Sequence, residues 1–233
     1  MKERTEKCWR QSKVLEGESK PKHMFSCAKC PLKPCCAGEL DASRLPEACP
    51  MKAAQEIIKK ALEKYGEEEI FRMFSAAAKV EKKGYLKWPR IREVVELARL
   101  LNVSKIGIAF CVGLSGEARE LSNLLESWGF EVSSVCCKCG GVDKAELGIG
   151  EYKLESESGF EAACNPIAQA ELLNAAETQL NIIVGLCVGH DALFTRFSKA
   201  PVTTLVVKDR VTGHNSLAAL YSAYHRKTIH PQT

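Results

Sequence analysis

The stretches Ile106-Gly-Ile-Ala-Phe-Cys111-Val-Gly113 and Ile182-Ile-Val-Gly-Leu-Cys187-Val-Gly189 decide the fold. Each is a short, nearly all-apolar run that ends in Cys-Val-Gly just ahead of a helix-like segment. Strands buried on both faces of a parallel sheet read this way, without polar alternation. Around them, strand and helix patterns alternate. The run from Lys105 to Cys111 is followed by a helical segment from Ser115 to Trp128, with Gly129 as its stop. A second strand, Phe130 to Val135, leads directly into Cys136-Cys137-Lys138-Cys139. A helix from Pro166 to about Gln179 precedes the third strand, Asn181 to Cys187. A helix from His190 to Phe197, a fourth strand from Val202 to Val207 and a last helix from Ser216 to Tyr224 complete the series.

This βαβ series predicts an α/β domain with a parallel, Rossmann-like sheet of order 2-1-3-4 and helices on both faces. Strands one and three are then neighbours, about 4.8 Å apart. Cys111 and Cys187 reach the carboxyl edge of the sheet, where open α/β folds bind ligands.

Upstream, the organisation changes. Residues 1–23 read as a polar arm carrying Cys8, and 24–50 as a cysteine- and proline-rich segment with no apolar periodicity. Residues 51–103 form a helical region, with helices expected over Met51–Tyr65, Glu67–Lys83 and Pro89–Leu101. The α/β domain occupies 104–233.

Composition narrows the chemistry. The chain has 233 residues, 45% of them hydrophobic, which is enough for a real core. A net charge of +4, evenly spread, argues against a nucleic-acid partner. No apolar run approaches the ~20 residues that span a bilayer. The opening Met1-Lys-Glu-Arg-Thr-Glu-Lys-Cys8 lacks the apolar core of a signal peptide. A cytoplasmic location is therefore expected, where thiols stay reduced. There, twelve cysteines point to metal or catalysis rather than disulfides.

The first cysteine constellation is Cys27-Ala-Lys-Cys30-Pro-Leu-Lys-Pro-Cys35-Cys36, with Cys49-Pro50 beyond. A Cys-x-x-Cys turn lets two thiolates bind one metal, and Cys35 or Cys36 with Cys49 completes four ligands. Closed Cys₄ sites serve zinc and iron–sulfur clusters alike. Unequal spacing and Cys-Pro at a ligand position lean toward a [4Fe–4S] cluster, with zinc as the alternative.

The second constellation is dispersed in sequence but gathers at the sheet edge. It comprises Cys111, Cys136, Cys137, Cys139, Cys164, Cys187 and His190, with His214 as an outlier. A lone strand cysteine is usually a small hydrophobe; three strands all ending in cysteine are less easily explained that way. In Cys164-Asn165-Pro166 the asparagine suits an N-cap and the proline a first helical position. Cys164 then stands at the positive end of a helix, which favours a thiolate. Adjacent strand residues point to opposite faces, so Cys139 is expected to serve the site in preference to the Cys136–Cys137 pair. The expected cofactor-binding set is thus Cys111, Cys139, Cys164 and Cys187, a possible second cluster. Lys208-Asp209-Arg210 is a solvated charge run or an anion contact at this edge. The segment from Lys138 to Ala163 reads as a lid. No P-loop, dinucleotide fingerprint or nucleophile elbow is present.

Cys27-x-x-Cys30 with Cys35-Cys36, Phe110-Cys111-Val-Gly, Cys136-Cys-Lys-Cys139, Cys164-Asn-Pro-Ile and Leu186-Cys187-Val-Gly-His190-Asp together resemble an uncharacterised family. Its members are cysteine-rich metal-binding proteins of anaerobic bacteria and archaea. The likeness extends from about residue 25 to 227 and implies metal binding in an oxygen-poor cytoplasm, with no reaction attached.

Three functions compete. In the first, an iron–sulfur protein performs redox or sulfur chemistry on a small molecule, or with a redox partner protein, at the sheet edge. In the second, Cys164 or Cys187 is the nucleophile of a thiol enzyme with His190 as base, and zinc staples the N-terminal segment. The third is a metal carrier or sensor that exchanges a soft metal among thiolates.

Overall fold

A computed structural model describes residues 25–38, 41–154 and 159–230. The expected arm with Cys8 lies outside them. By their internal contacts the residues divide into two units, 1–72 and 73–233.

The described part of the first unit is mostly tight turns. Cys27–Lys29 and Pro34–Ala37 are single 3₁₀ turns. Helix α1, Pro50–Ala53, starts with proline at its first position and Cys49 as N-cap. It stops at Ala54 (φ −144°, ψ 41°), and α2 runs from Gln55 to Glu63. The one helix expected over 51–65 is therefore broken near its start.

Helix α3 spans Glu68–Gly84 and α4 spans Arg90–Leu100. In the second unit the strands are β1 (Lys105–Phe110), β2 (Glu131–Cys136), β3 (Leu180–Val184) and β4 (Val202–Val206). They form one sheet, all parallel, in the order β2-β1-β3-β4. The α/β architecture and strand order are those expected from the sequence. Helices α5 (Ser115–Ser127), α6 (Pro166–Ala175) and α7 (His190–Phe197) connect the strands. The segment expected as one last helix is two, α8 (Ala218–Tyr221) and α9 (Ala223–Ile229), with Ser222 capping the second.

Strand alternation sends alternate residues to two cores. On one face Ile106, Ile108, Leu180, Ile182 and Val184 pack with Val94, Val95 and Ala98 of α4 and Leu121 and Leu125 of α5. On the other, Ala109 and Ile183 pack with Ala170 and Leu173 of α6 and Phe194 of α7. Cys111 and Cys137 belong to this second core, with Cys136 and Cys164 packed at its margin.

Asn181 sits fully buried on the second face. Its side-chain amide donates to Ser198 Oγ at 2.8 Å and its Oδ1 accepts from Thr178 Oγ1 at 2.8 Å. Across the ladder, Gly107 makes room for it: a Cβ there would lie 2.0 Å from Asn181 Oδ1. A small residue in β1 thus buys space for a polar staple in β3.

Strand β3 is shorter than its apolar run. It ends at Val184 because Gly185 takes φ 70°, and a Cβ on Gly185 would meet Leu114 Cδ1 at 2.1 Å. Cys187 therefore lies in the turn beyond the strand rather than at its end.

Candidate functional site

The carboxyl edge is assembled by register. Phe110 pairs with Cys136 across β1 and β2, which places the next residues, Cys111 and Cys137, side by side. Both continue the ladder by one bond: Cys111 N–H donates to Val184 O at 3.1 Å and Cys137 N–H to Phe110 O at 2.8 Å. Both are buried.

Helix α6 then lowers Cys164 onto this pair. Asn165 Oδ1 accepts the Ala168 N–H at 3.0 Å as N-cap, with Pro166 in the first turn. Asn165 N–H donates to Cys137 O at 2.8 Å, tying the two cysteine segments by their backbones. Gln169, fully buried one turn into α6, donates through Nε2 to Val135 O at 2.7 Å and to Phe110 O at 3.3 Å. It clamps the helix start across the ends of β1 and β2. Replacing it with leucine leaves the partly buried Val135 carbonyl without that donor. An isolated loss of this kind costs about 1–3 kcal/mol. Because Gln169 Oε1 itself has no partner, the lower half of that range is expected for Gln169→Leu, read as a lower urea midpoint.

The sulfur atoms are electrostatically distinct. Cys137 and Cys164 share a hydrogen bond in which Cys137 keeps the proton, so its thiol is pushed far above the ordinary thiol range, with burial adding to the shift. Cys164 is the acceptor. The Cys137 hydrogen bond first, then one from His190, then the positive charge of Lys138 and His190, hold its thiol down to about 4 against the opposing effect of burial. The Val112 N–H donates to Cys137 Sγ at 3.3 Å. A half-buried thiolate with a protonated neighbour is the result.

His190 is held in the same turn as Cys187. The Cys187 carbonyl accepts the N–H groups of His190 (2.9 Å) and Asp191 (3.1 Å), starting α7 after Gly189 at φ 84°. Arg210 Nη2 donates to Cys187 Sγ at 3.2 Å. The Lys208 side chain lies over the two turns: its Nζ is 3.4 Å from where a Gly113 Cβ would be, and its Cδ 3.5 Å from a Gly185 Cβ. Of the two readings of Lys208-Asp209-Arg210, cations facing the edge describe Lys208 and Arg210. Asp209 instead folds back on its own loop, accepting the N–H groups of Val211 and Thr212 at 3.0 Å each.

Of the four cysteines expected to share one site, Cys111 and Cys164 pack in or against the core cluster that holds Cys137, and Cys187 faces Arg210 in the turn that opens at His190. Cys139 is placed differently. Its Sγ donates to Asn165 O at 3.8 Å, and burial, then the nearby Cys136, raises its pKa. The cysteine that meets Cys164 is Cys137. Strand alternation misses it because β2 ends at Cys136 and Cys137 lies in the turn that follows. The matched positions of Cys111 and Cys137, each one residue past a paired strand end, are the signal that finds it. His214, with φ 68°, closes the β4 loop, accepting the Asp209 N–H on Nδ1 at 3.0 Å.

The segment over 138–163 is pinned at its base. Asp143 and Ala162 form an antiparallel bridge, Lys144 pairs with Glu161 at 2.7 Å and Lys153 with Asp143 at 2.8 Å. A separate cavity of about 710 Å³, lined by Ile91, Leu121, Leu124 and Leu205 among others, contains no cysteine.

In the N-terminal unit, Cys27, Cys30, Cys35 and Cys49 line one cavity of about 160 Å³, together with Lys29 and Lys33. Cys36 is not among its lining residues. The Cys-x-x-Cys turn is closed by Cys30 N–H donating to Cys27 O at 3.1 Å. Among the described residues, no group of three or more Cys, His, Asp or Glu side chains is arranged to hold a single metal ion. A lone zinc needs its four sulfurs drawn to one point at about 2.3 Å. A cluster would instead use each cysteine on a different iron. At the sheet edge Cys187 Sγ already accepts from the Arg210 guanidinium at 3.2 Å.

No helix among the described residues is long and apolar enough to cross a membrane. The chain is 43% identical over 205 residues to the uncharacterized protein MJ0455 of Methanocaldococcus jannaschii, an alignment covering 88% of this chain and 98% of that protein. The model of the family described as Protein of unknown function (DUF1847) matches residues 49–205, from Cys49 through all the sheet-edge cysteines. On both grounds the chain belongs to the DUF1847 family, proteins of unknown function.

Proposed function

We propose that this chain is a cytoplasmic protein of redox or sulfur chemistry that acts on a small molecule at the carboxyl edge of its sheet. Cys164 is the attacking thiolate and His190 the hydrogen-bond donor that holds it ready. Arg210 and Lys208 orient a ligand there. Cys27, Cys30, Cys35 and Cys49 hold an iron–sulfur cluster, whose part is to store or supply an electron. The observation that carries this reading is the convergence of Cys137 and His190 on Cys164 at the start of α6. Two donors and a helix N-terminus around one half-exposed sulfur favour a nucleophile.

The test is competitive labelling of the reduced protein with substoichiometric iodoacetamide at pH 6, mapped by peptide mass spectrometry. Ordinary thiols are less than about 1% ionised there, so Cys164 is expected to take most of the label. Preferential labelling of another cysteine, with Cys164 left unmodified, overturns the assignment.

A further inference from the structure

We propose that Cys137 is the resolving partner of Cys164, and that together they reduce a small, anionic disulfide by thiol–disulfide exchange. This rests on the reading of Cys164 as the nucleophile and assigns the substrate class and a second catalytic residue.

The geometry comes first. Asn165 N–H donates to Cys137 O at 2.8 Å, which brings the two cysteine segments alongside, and Cys164 packs against the core cluster that contains Cys137. That backbone bond makes the two cysteines candidates to be joined by a disulfide. Cys164 is half-buried, whereas Cys137 is 3% exposed and shielded from a ligand in solution. Attack from outside therefore falls to the first and resolution to the second.

The chemistry closes without a further reagent. The Cys164 thiolate attacks one sulfur of R–S–S–R′, forming Cys164–S–S–R and releasing R′S⁻. That bond formation removes the charge and the acceptor that kept the proton on Cys137. Cys137 passes its proton to R′S⁻, while the Val112 N–H stays on its sulfur to support the new thiolate. Cys137 then attacks the Cys164 sulfur, giving a Cys137–Cys164 disulfide and RS⁻. The protein loses two electrons as a dithiol, and the substrate gains them as two thiols.

The charge of the substrate follows from the rim. Lys208 overhangs the turns at Gly113 and Gly185, Arg210 reaches Cys187, and Lys138 adds its positive charge at Cys164. The two acids nearest in sequence are satisfied locally, Asp209 by its own loop and Asp191 by the Ala192 N–H at 2.8 Å. Carboxylates on the substrate would meet these cations.

The experiment treats the reduced full-length protein anaerobically with oxidised glutathione, an anionic disulfide, and with cystamine, a cationic one. Products are mapped by non-reducing peptide mass spectrometry. The wild type is expected to end as the Cys137–Cys164 disulfide, and Cys137→Ser to stop at a glutathione adduct on Cys164. Glutathione disulfide should react at least about tenfold faster than cystamine, with the gap narrowed in Arg210→Gln. A stable adduct on Cys164 in the wild type, or a disulfide from Cys137 to Cys111, overturns the resolving role while leaving Cys164 the nucleophile. Equal rates for the two probes overturn the anionic class. Failure of Cys164 to react with either disulfide or with iodoacetamide overturns the nucleophile reading as well. The wild-type map alone decides the resolving role should Cys137→Ser not fold.

Discussion

Alkylation of Cys164 by iodoacetamide is expected to proceed at a constant rate from about pH 8 down to about pH 5. It should then fall with a midpoint near pH 4. An ordinary cysteine behaves the other way over this range, gaining reactivity up to about pH 8.5. The cause is a proton shared unequally: Cys137 keeps it and Cys164 carries the charge, with His190 as second donor. His190→Ala removes the second largest cause and should raise the midpoint by about one unit or more, a tenfold loss of thiolate at low pH. Cys137→Ser should raise it too, since a hydroxyl replaces the thiol donor in altered geometry. A purely structural His190 would leave the profile where it was. The sign for stability follows. Cys164 has its folded value depressed, so its contribution is full above the ordinary thiol value and is lost as pH falls toward 4. Cys137, shifted upward, contributes below the ordinary thiol value and loses that contribution as pH rises beyond it.

The sheet was legible because its signals are local. Buried parallel strands must be apolar on both faces, and Ile106–Phe110 and Ile182–Val184 announce this in sequence. Order 2-1-3-4 then follows from the handedness and length of the crossovers. Strand ends were less legible. Gly185 terminates β3 by turning to positive φ against Leu114, and the apolar residues that follow it, Leu186 and Val188, conceal the stop. The broken helix at Ala54 carries no glycine or proline of its own, so nothing at that position marks it.

For the site, sequence alone pointed to the carboxyl edge of the sheet and ranked Cys139 above Cys137 there. Side-chain alternation is a rule for strands, and it fails one residue past a strand end. Register corrects it: Phe110 opposite Cys136 puts Cys111 beside Cys137. Arg210 and Lys208 were readable only as a charge run, since their approach to Cys187 and the two glycine turns depends on how the loop after β4 folds. Gln169 carried no signal at all. A glutamine in the first turn of a helix reads as solvated, and only its burial across β1 and β2 shows that it anchors Cys164.

The largest effect expected at the other end of the chain is all-or-none. Anaerobically purified protein should carry iron and acid-labile sulfide. Serine at Cys27, Cys30, Cys35 or Cys49 should abolish both, and serine at Cys36 should leave them intact. The division comes from the cavity, which the first four line and Cys36 does not. Folding should fail with the cluster. Between residues 25 and 50 the described residues bury a single large hydrophobic side chain, Leu45, too little to offset the backbone entropy of ordering the segment. Metal–thiolate binding contributes on the order of 10 kcal/mol in small metal-stapled segments, and here it has few competitors. The cluster-free variants should accordingly be cut within 25–50 by protease at concentrations that spare the wild type. Cys164→Ser, by contrast, should keep iron, sulfide and protease resistance while losing the low-pH thiolate. Zinc without sulfide in the purified protein would replace the cluster with a closed zinc site on the same cysteines. Loss of iron on Cys36→Ser would show that the ligand set is not the one the cavity presents.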